Sequence, residues 1–475
     1  MEQQNASGAI VIAGAGLTGL MCALRLTKLH PQKKIVLFDR SSTPGGMYGS
    51  LTYEDKWKFD YGMHVIYESC NPKIDELYRE VMPQEEWHIY EKNEKDIAGL
   101  YFRGSLQNYS HYIDLRKCSE ASRERFIGSL LRNLEVPLPE DPKNAYEFLR
   151  NQFGPEIVDE IHRPLLQRMY GVEPEEMAVF ATKVTALDRV ILFDPSTMLD
   201  LMQSPKLRAR LAYADQLNLP PLRTNDQKAL YPRKFGMSNF VDRLCKHLIS
   251  KGVEILTDTS IATVTQKNGR IEAVSLTHAQ SGTRTIAVEK FLWTVGWPPL
   301  AKELGVQIAD IKFQRGPAII FLNLVFNKPL AMDRLYYFYC YDENFATFRV
   351  TNYTNYCPDA SNGSAFPVSV ELWPSKIGRN ASELSLGECV QLSLDELKKF
   401  GVIGGEHELV FAQMESKAGE FPMPSVVNAK ALAEIRSRVE KSAAANLVVA
   451  GVMAKDGLFF LPDVLNDAFE KLETF

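Results

Sequence analysis

The sequence predicts an α/β protein: a doubly wound parallel sheet with an added β-hairpin, interrupted by one helical insert and one antiparallel-sheet insert. Three observations carry this expectation. A strand, a glycine turn, a helix and a second strand follow one another at the N-terminus. A hairpin and a further apolar strand of matching character lie far downstream. The two stretches between them differ in periodicity, the first helical and the second alternating.

Ala9-Ile10-Val11-Ile12-Ala13 is a continuous apolar run, as expected of a strand buried on both faces. Gly14-Ala15-Gly16-Leu17-Thr18-Gly19 follows directly, Leu20 to Leu29 has helical periodicity, and a second apolar run, Ile35 to Phe38, ends in Asp39 and Arg40. Glycines at these positions allow a tight turn at Gly14, close approach of a diphosphate at Gly16 and close helix–strand packing at Gly19. The helix then offers free N–H groups and the positive end of its dipole, and an acidic residue about 20 positions on suits a ribose hydroxyl. The unit is a Rossmann-type dinucleotide cradle, with Gly14, Gly16, Leu17, Thr18, Gly19, Asp39 and Arg40 as candidate contacts.

Downstream, Tyr231 to Met237 leads into a helix over Ser238 to Ser250. Gly252 to Ile255 and Thr259 to Val264 read as strands, and Gly269 marks the turn of a hairpin reaching Leu276. Asn446 to Gly451 is a last apolar strand, followed by a helix opening near Asp463 to Asp467. The dinucleotide-binding domain is therefore expected to be discontinuous, built from 1–113, 226–311 and 424–475. Segment 114–225 is rich in helix-period patterns, and 312–423 in β-branched and aromatic strand patterns, together making a substrate domain.

A chain of 475 residues with 45% hydrophobic and 24% charged residues can bury a large core. Its net charge of -5 gives no bulk attraction to nucleic acid, which is therefore not an expected partner. No apolar run reaches the roughly 18 residues of a membrane span. Polar Met1 to Gly8 leads straight into a strand, so no signal peptide is expected. Seven scattered cysteines with no Cys-x-x-Cys pair suit reduced thiols in the cytoplasm and point to no metal site.

Further motifs carry a family resemblance. Pro44-Gly45-Gly46-Met47-Tyr48, Phe59 to His64 and Tyr231 to Met237 resemble the flavoprotein superfamily of amine oxidases, protoporphyrinogen oxidases and UDP-galactopyranose mutases. The resemblance implies FAD as cofactor. It implies that Gly45, Gly46 and Met47 lie along the cofactor, with His64 beside the isoalloxazine. The backbone near Ile261 would meet the adenine, and Gly451, Asp463, Val464 and Leu465 would face the flavin and diphosphate.

Within that group, Phe345 to Pro358 resembles a mutase stretch whose arginine and tyrosine hold the substrate diphosphate, here Arg349 and Tyr356. Phe148-Leu149, Phe153-Gly154, Tyr170 to Met177 and Phe421-Pro422-Met423-Pro424 also resemble mutase segments. Gln107, Asn108 and Tyr109 fall where mutases contact uridine, and Arg189 falls near a second phosphate-binding arginine. Tyr337, Tyr339 and Tyr341 alternate onto one strand face, which suits either a pocket lining or core packing. Departures are evident: Phe421 replaces a mutase tyrosine, Val452 replaces an arginine, Phe459 or Phe460 occupies a usual tyrosine position, and Val65 to Glu68 replaces a His-rich extension.

The expected function is a FAD-dependent oxidoreductase acting on a nucleotide-activated sugar. His64 and Arg349 would be its catalytic residues, and Arg349, Tyr356, Tyr337, Tyr339 and Asn108 would line the substrate. The resemblance places it in surface polysaccharide or glycoconjugate synthesis. Three alternatives stand beside this: a non-redox mutase using reduced FAD, an oxidase of another small molecule, and a flavin-binding protein without catalysis. His64 could equally be a packed histidine that supports the flavin.

Overall fold

The computed structural model describes residues 8–136, 141–417, 423–442 and 444–475. The chain divides into two compact units. The first comprises the chain up to Ile89, Gln227–Lys312 and Lys430–Phe475; the second comprises Tyr90–Asp226 and Phe313–Ala429.

In the first unit, β1 (Ala9–Ala13), α1 (Leu17–Leu29) and β2 (Ile35–Phe38) form the opening motif. A hairpin of β3 (Ser50–Tyr53) and β4 (Trp57–Asp60) follows. After the insertion come α2 (Ser238–Ser250), β5 (Glu254–Leu256), β6 (Thr259–Lys267), β7 (Arg270–His278) and β8 (Gly282–Trp293). The C-terminal part adds β9 (Leu447–Val449) and α3 (Leu461–Leu472). Among the described residues, seven strands make one sheet in the order β5-β2-β1-β8-β7-β6, with β9 also on β8. The β5, β2, β1, β8 and β9 pairings are parallel, whereas β6, β7 and the first half of β8 form an antiparallel meander.

The sequence explains this layering. All five residues of β1 and all four of β2 are buried, because the sheet is covered on both faces: Val11 and Val36 pack with Val274 and Leu276 of the meander and with Ile435 and Val439. Leu20, Met21, Leu24 and Leu26 of α1 and Val464, Leu465, Phe469 and Leu472 of α3 are buried at helical spacing. Burying each such side chain fully contributes about 1.5–3 kcal/mol.

The second unit has its own seven-stranded sheet among the described residues. Its order is Leu409–Lys417, Ile319–Phe326, Phe366–Leu372, Thr347–Asn352, Tyr337–Cys340, Ala98–Phe102 and Ser105–Gln107. One pairing, Tyr337–Cys340 with Ala98–Phe102, is parallel; the others are antiparallel. Helices Glu120–Asn133, Ala145–Phe153 and Arg163–Tyr170 supply Phe126, Leu149, Phe153, Leu165 and Met169 to a core shared with Tyr341. Ser119 and Asn144 cap the first two helices by accepting the N–H of Ser122 at 3.2 Å and of Glu147 at 2.8 Å. Residues 90–113, grouped with the dinucleotide-binding part in the sequence reading, lie in this second unit. The ladder between Ala98–Phe102 and Tyr337–Cys340 draws them there.

Candidate dinucleotide site

The cradle is built where β1 ends. Gly14 has φ +101°, and a Cβ there would sit 2.4 Å from Thr294 Oγ1. A Cβ on Gly19 would sit 1.9 Å from Gly14 O, so helix and turn touch backbone to backbone. Gly16 differs: a Cβ there would meet nothing within 4 Å. The glycine doublet faces this open spot. Gly45 (φ +108°) forms a bridge to Gly16 and donates its N–H to Ala15 O at 2.8 Å. A Cβ on Gly46 (φ +57°) would lie 3.5 Å from Gly16 Cα. Two turns without side chains thus confront each other at the N-terminus of α1, whose first turn carries no acidic residue. That is a positive helix end with room for a diphosphate. Leu17 is buried and Thr18 partly exposed, so Leu17 contributes packing and a backbone position.

Asp39 closes the other side. Its Oδ2 accepts Ala15 N–H at 2.7 Å, and its Oδ1 accepts Ser41 N–H at 2.8 Å. A carboxylate has capacity for further donors, so a ribose hydroxyl remains compatible. The β6 strand is tied to the same residue: Thr259 N–H donates to Asp39 O at 2.8 Å, which brings Ile261 two positions on. Ile261 is half-buried against the sheet core. Met47 is half-buried, whereas the Arg40 side chain is exposed.

At the C-terminal strand, Gly451 (φ +104°) leaves no space for a side chain, since a Cβ would meet Thr294 O at 3.0 Å. Helix α3 opens just beyond this strand, with Phe460 as its N-cap. Pro462 has no N–H, Val464 N–H closes the first turn on Phe460 O at 3.0 Å, and Asp463 sits in that turn, where a carboxylate complements the helix dipole. The side chains of Val464 and Leu465 belong to the core.

His64 is half-buried and lies against Tyr48, with ring centroids 5.5 Å apart at 66°. Four residues before it, Asp60 is buried and highly coordinated. It accepts Ser50 Oγ–H at 2.5 Å, Tyr231 O–H at 2.5 Å and Met237 N–H at 3.0 Å. Burial nonetheless leaves its carboxyl above the usual range, against the pull of these donors. Asp60 has no expected role from the sequence, although it lies within the Phe59 to His64 motif and joins it to the Tyr231 to Met237 motif.

The expected substrate residues of the second unit each meet neighbours within that unit. Arg349 donates its Nε–H to Glu371 Oε1 at 2.6 Å across adjacent strands, and Glu371 is only 3% exposed. Tyr356 is buried against Tyr336 and Tyr353, at centroid distances of 5.6 and 6.0 Å. Asn108 is exposed and donates to Asp333 Oδ2 at 2.6 Å. Tyr337 and Tyr339 do share a face with Arg349, as alternation requires, but Tyr339 packs on Phe348 and on the helical core. Phe421 and Pro422 lie outside the described residues, while Val452 and Phe460 are exposed at 46% and 51%.

All seven cysteines are free, and no group of His, Cys, Asp and Glu among the described residues could hold a metal. No described helix is long and apolar enough to cross a membrane.

Comparison with known proteins agrees with this geometry. Residues 12–81 match the NAD(P)-binding Rossmann-like domain family. Coproporphyrinogen III oxidase of Staphylococcus aureus (strain NCTC 8325 / PS 47) is 23% identical over 261 residues, covering 53% of this chain and 54% of that protein. The chain thus spans about half the length of that relative. Among solved structures, reduced UDP-galactopyranose mutase superposes with a TM-score of 0.69 at 19% identity, over 92% of this chain and 87% of the other. A protein from Exiguobacterium sp. 255-15, provisionally assigned as a protoporphyrinogen oxidase, gives 0.69 at 18% identity over 99% and 98%. Putrescine oxidase with putrescine bound gives 0.59 at 12% identity over 98% and 99%. Residues 12–81 therefore match the NAD(P)-binding Rossmann-like domain family, and the chain shares its fold with these solved structures.

Proposed function

We propose that this protein is a FAD-dependent oxidoreductase of a small organic molecule, with the cofactor lying along the glycine turns of the first unit. The observation that carries this reading is the pair of facing turns, Gly14-Ala15-Gly16 and Gly45-Gly46, with Asp39 beside them. In this reading the backbone of Gly16 and Gly46 takes the diphosphate, Asp39 takes a ribose hydroxyl, and the strand from Thr259 to Ile261 flanks the adenine. Bound FAD would supply a hydride acceptor. His64 would serve that chemistry as an acid/base or hydrogen-bonding group, its ring held by Tyr48.

Redox chemistry is favoured over the mutase alternative because Phe421 and Val452 stand where mutases carry a tyrosine and an arginine, and the retained residues have neighbours within the protein. Arg349 is committed to Glu371, Tyr356 is buried, and Asn108 is tied to Asp333. A nucleotide sugar as substrate, and a role in polysaccharide or glycoconjugate synthesis, rest on likeness to the mutase alone.

The test is the visible spectrum of the purified protein during anaerobic titration with nucleotide sugars, primary amines and porphyrinogens in turn. Bleaching of the oxidised flavin band by one class establishes the redox reaction and names the substrate class. Rearrangement of a sugar nucleotide by the dithionite-reduced protein, with no bleaching by any class, would favour the mutase instead. A colourless protein that cannot be reconstituted with FAD would overturn the proposal.

A further inference from the structure

Two short segments meet at His64 by construction. In the β3–β4 hairpin, Ser50 pairs with Asp60 across the ladder, and the Ser50 hydroxyl also donates to the Asp60 carboxylate at 2.5 Å. Tyr48 lies two residues before Ser50, and His64 lies four residues after Asp60. Closing the hairpin therefore brings Tyr48 and His64 together, and their rings meet edge-on at 5.5 Å. Both approaches are fixed. Gly45 and Gly46 hold left-handed backbone that leads into the short helical turn Gly46–Tyr48, and Gly49 N–H closes that turn on Gly46 O at 3.0 Å. On the other side, Gly62 (φ +76°) donates its N–H to Asp60 O at 2.9 Å, which bends the chain towards His64.

Asp60 is anchored independently. Tyr231 O–H and Met237 N–H bind its carboxylate, and Ser238 N–H binds Ser50 Oγ at 3.0 Å. The base of the Tyr48–His64 pair is thereby bolted to the start of α2. Burial pushes the Tyr48 phenol well above its usual range, so the ring stays neutral.

We propose that Tyr48 is a positioning residue for His64: its ring edge holds the imidazole in one orientation, and the Ser50–Asp60 clamp fixes the spacing between the two. The assignment rests on the reading that His64 serves the flavin chemistry. An edge-to-face aromatic contact of this kind restricts ring rotation without adding charge.

The test is nuclear magnetic resonance of the His64 ring protons, identified by their loss in His64→Gln, in the purified protein without and with FAD. Tyr48→Phe is expected to leave the His64 signals where they are, since it keeps the ring. Tyr48→Leu is expected to move them, because the ring current of residue 48 is gone. In the loaded enzyme, Tyr48→Leu should lower kcat by up to about tenfold with KM little changed, and Tyr48→Phe should restore it. If Tyr48→Leu lowers the folded fraction, Tyr48→Met fills the volume without an aromatic face and serves the same measurement. Unchanged His64 signals in the Leu or Met variant would overturn the proposal. A protein that takes up no FAD would remove the functional reading, while the flavin-free spectra would still decide whether Tyr48 sets the ring.

Discussion

Arg349 and Glu371 lie opposite one another on neighbouring strands, with Arg349 Nε–H donating to Glu371 Oε1 at 2.6 Å. Burial works against the charge on Arg349, and the Glu371 carboxylate outweighs it, so the guanidinium stays protonated. Tyr337 and Tyr339 flank it at 5.7 and 5.9 Å from their ring centroids. A buried pair of this kind makes each partner necessary to the other. Arg349→Met alone, or Glu371→Gln alone, should destabilise the protein by about 3–5 kcal/mol, because one buried charge or polar group loses its partner. The double variant Arg349→Met/Glu371→Leu should recover much of that loss. Urea unfolding of the three variants checks it. Wild-type stability in Arg349→Met together with a raised KM would return Arg349 to the substrate.

The cradle glycines separate binding from folding. A Cβ at Gly16 meets no protein atom, and its backbone (φ -65°, ψ 168°) is open to alanine. Gly16→Ala should therefore keep stability within about 1 kcal/mol of wild type, the usual range at a helix N-cap, and yet lose FAD. Gly19→Ala places a methyl 1.9 Å from Gly14 O and should instead deplete the folded protein. Thermal melts and flavin content, measured side by side, distinguish the two effects. A yellow Gly16→Ala protein with full flavin content would move the diphosphate elsewhere.

Local chemistry made the cradle legible in the sequence. A glycine turn, its helix and the acidic strand end lie within some thirty residues, and each residue type answers a backbone demand that neighbouring positions impose. The helix over Ser238–Ser250 and the hairpin turning at Gly269 were readable for the same reason. The partner of Arg349 was not. The environment of Arg349 depends on a register shift between Thr347 and Arg349, which sets it opposite Glu371, 22 residues away. A one-residue slip would present different partners, and no local pattern encodes it. Asp60 was equally silent, since Tyr231, one of its main partners, is 171 residues distant.

His162 gives the protein an acid-sensitive element. It is fully buried, stacked on Phe153 with centroids 5.1 Å apart at 18°, and burial lowers its pKa from 6.5 to about 4. In the unfolded chain the imidazole gains its proton as pH falls through about 6.5; in the folded chain it stays neutral until about pH 4. The unfolded state thus binds more protons in that window, and stability declines as pH falls, by up to about 3 kcal/mol in all. Above pH 6.5 the residue contributes no slope, and below pH 4 the loss levels off. His162→Leu should flatten stability against pH between those limits. Equal slopes in the variant and wild type would show that the imidazole is protonated in the fold.

The Asp60 knot predicts how the first unit answers the loss of a single hydroxyl. Tyr231 O–H donates to Asp60 Oδ2 at 2.5 Å, and the Tyr231 hydroxyl oxygen accepts Gly236 N–H at 3.1 Å. Tyr231→Phe removes both interactions and leaves a buried carboxylate short of a donor and an N–H short of an acceptor. Each such deficit costs about 1–3 kcal/mol, so the variant should lose roughly 2–6 kcal/mol. Asp60→Asn should cost a similar amount, because one face of its amide can donate but not accept. The two losses should not add, since both break one network, and the double variant should be little worse than either single. Equilibrium unfolding of the four proteins in this cycle measures the coupling. Additive losses would mean that Tyr231 and Asp60 hold the motif independently, and the union of the His64 segment with α2 would then rest on packing alone.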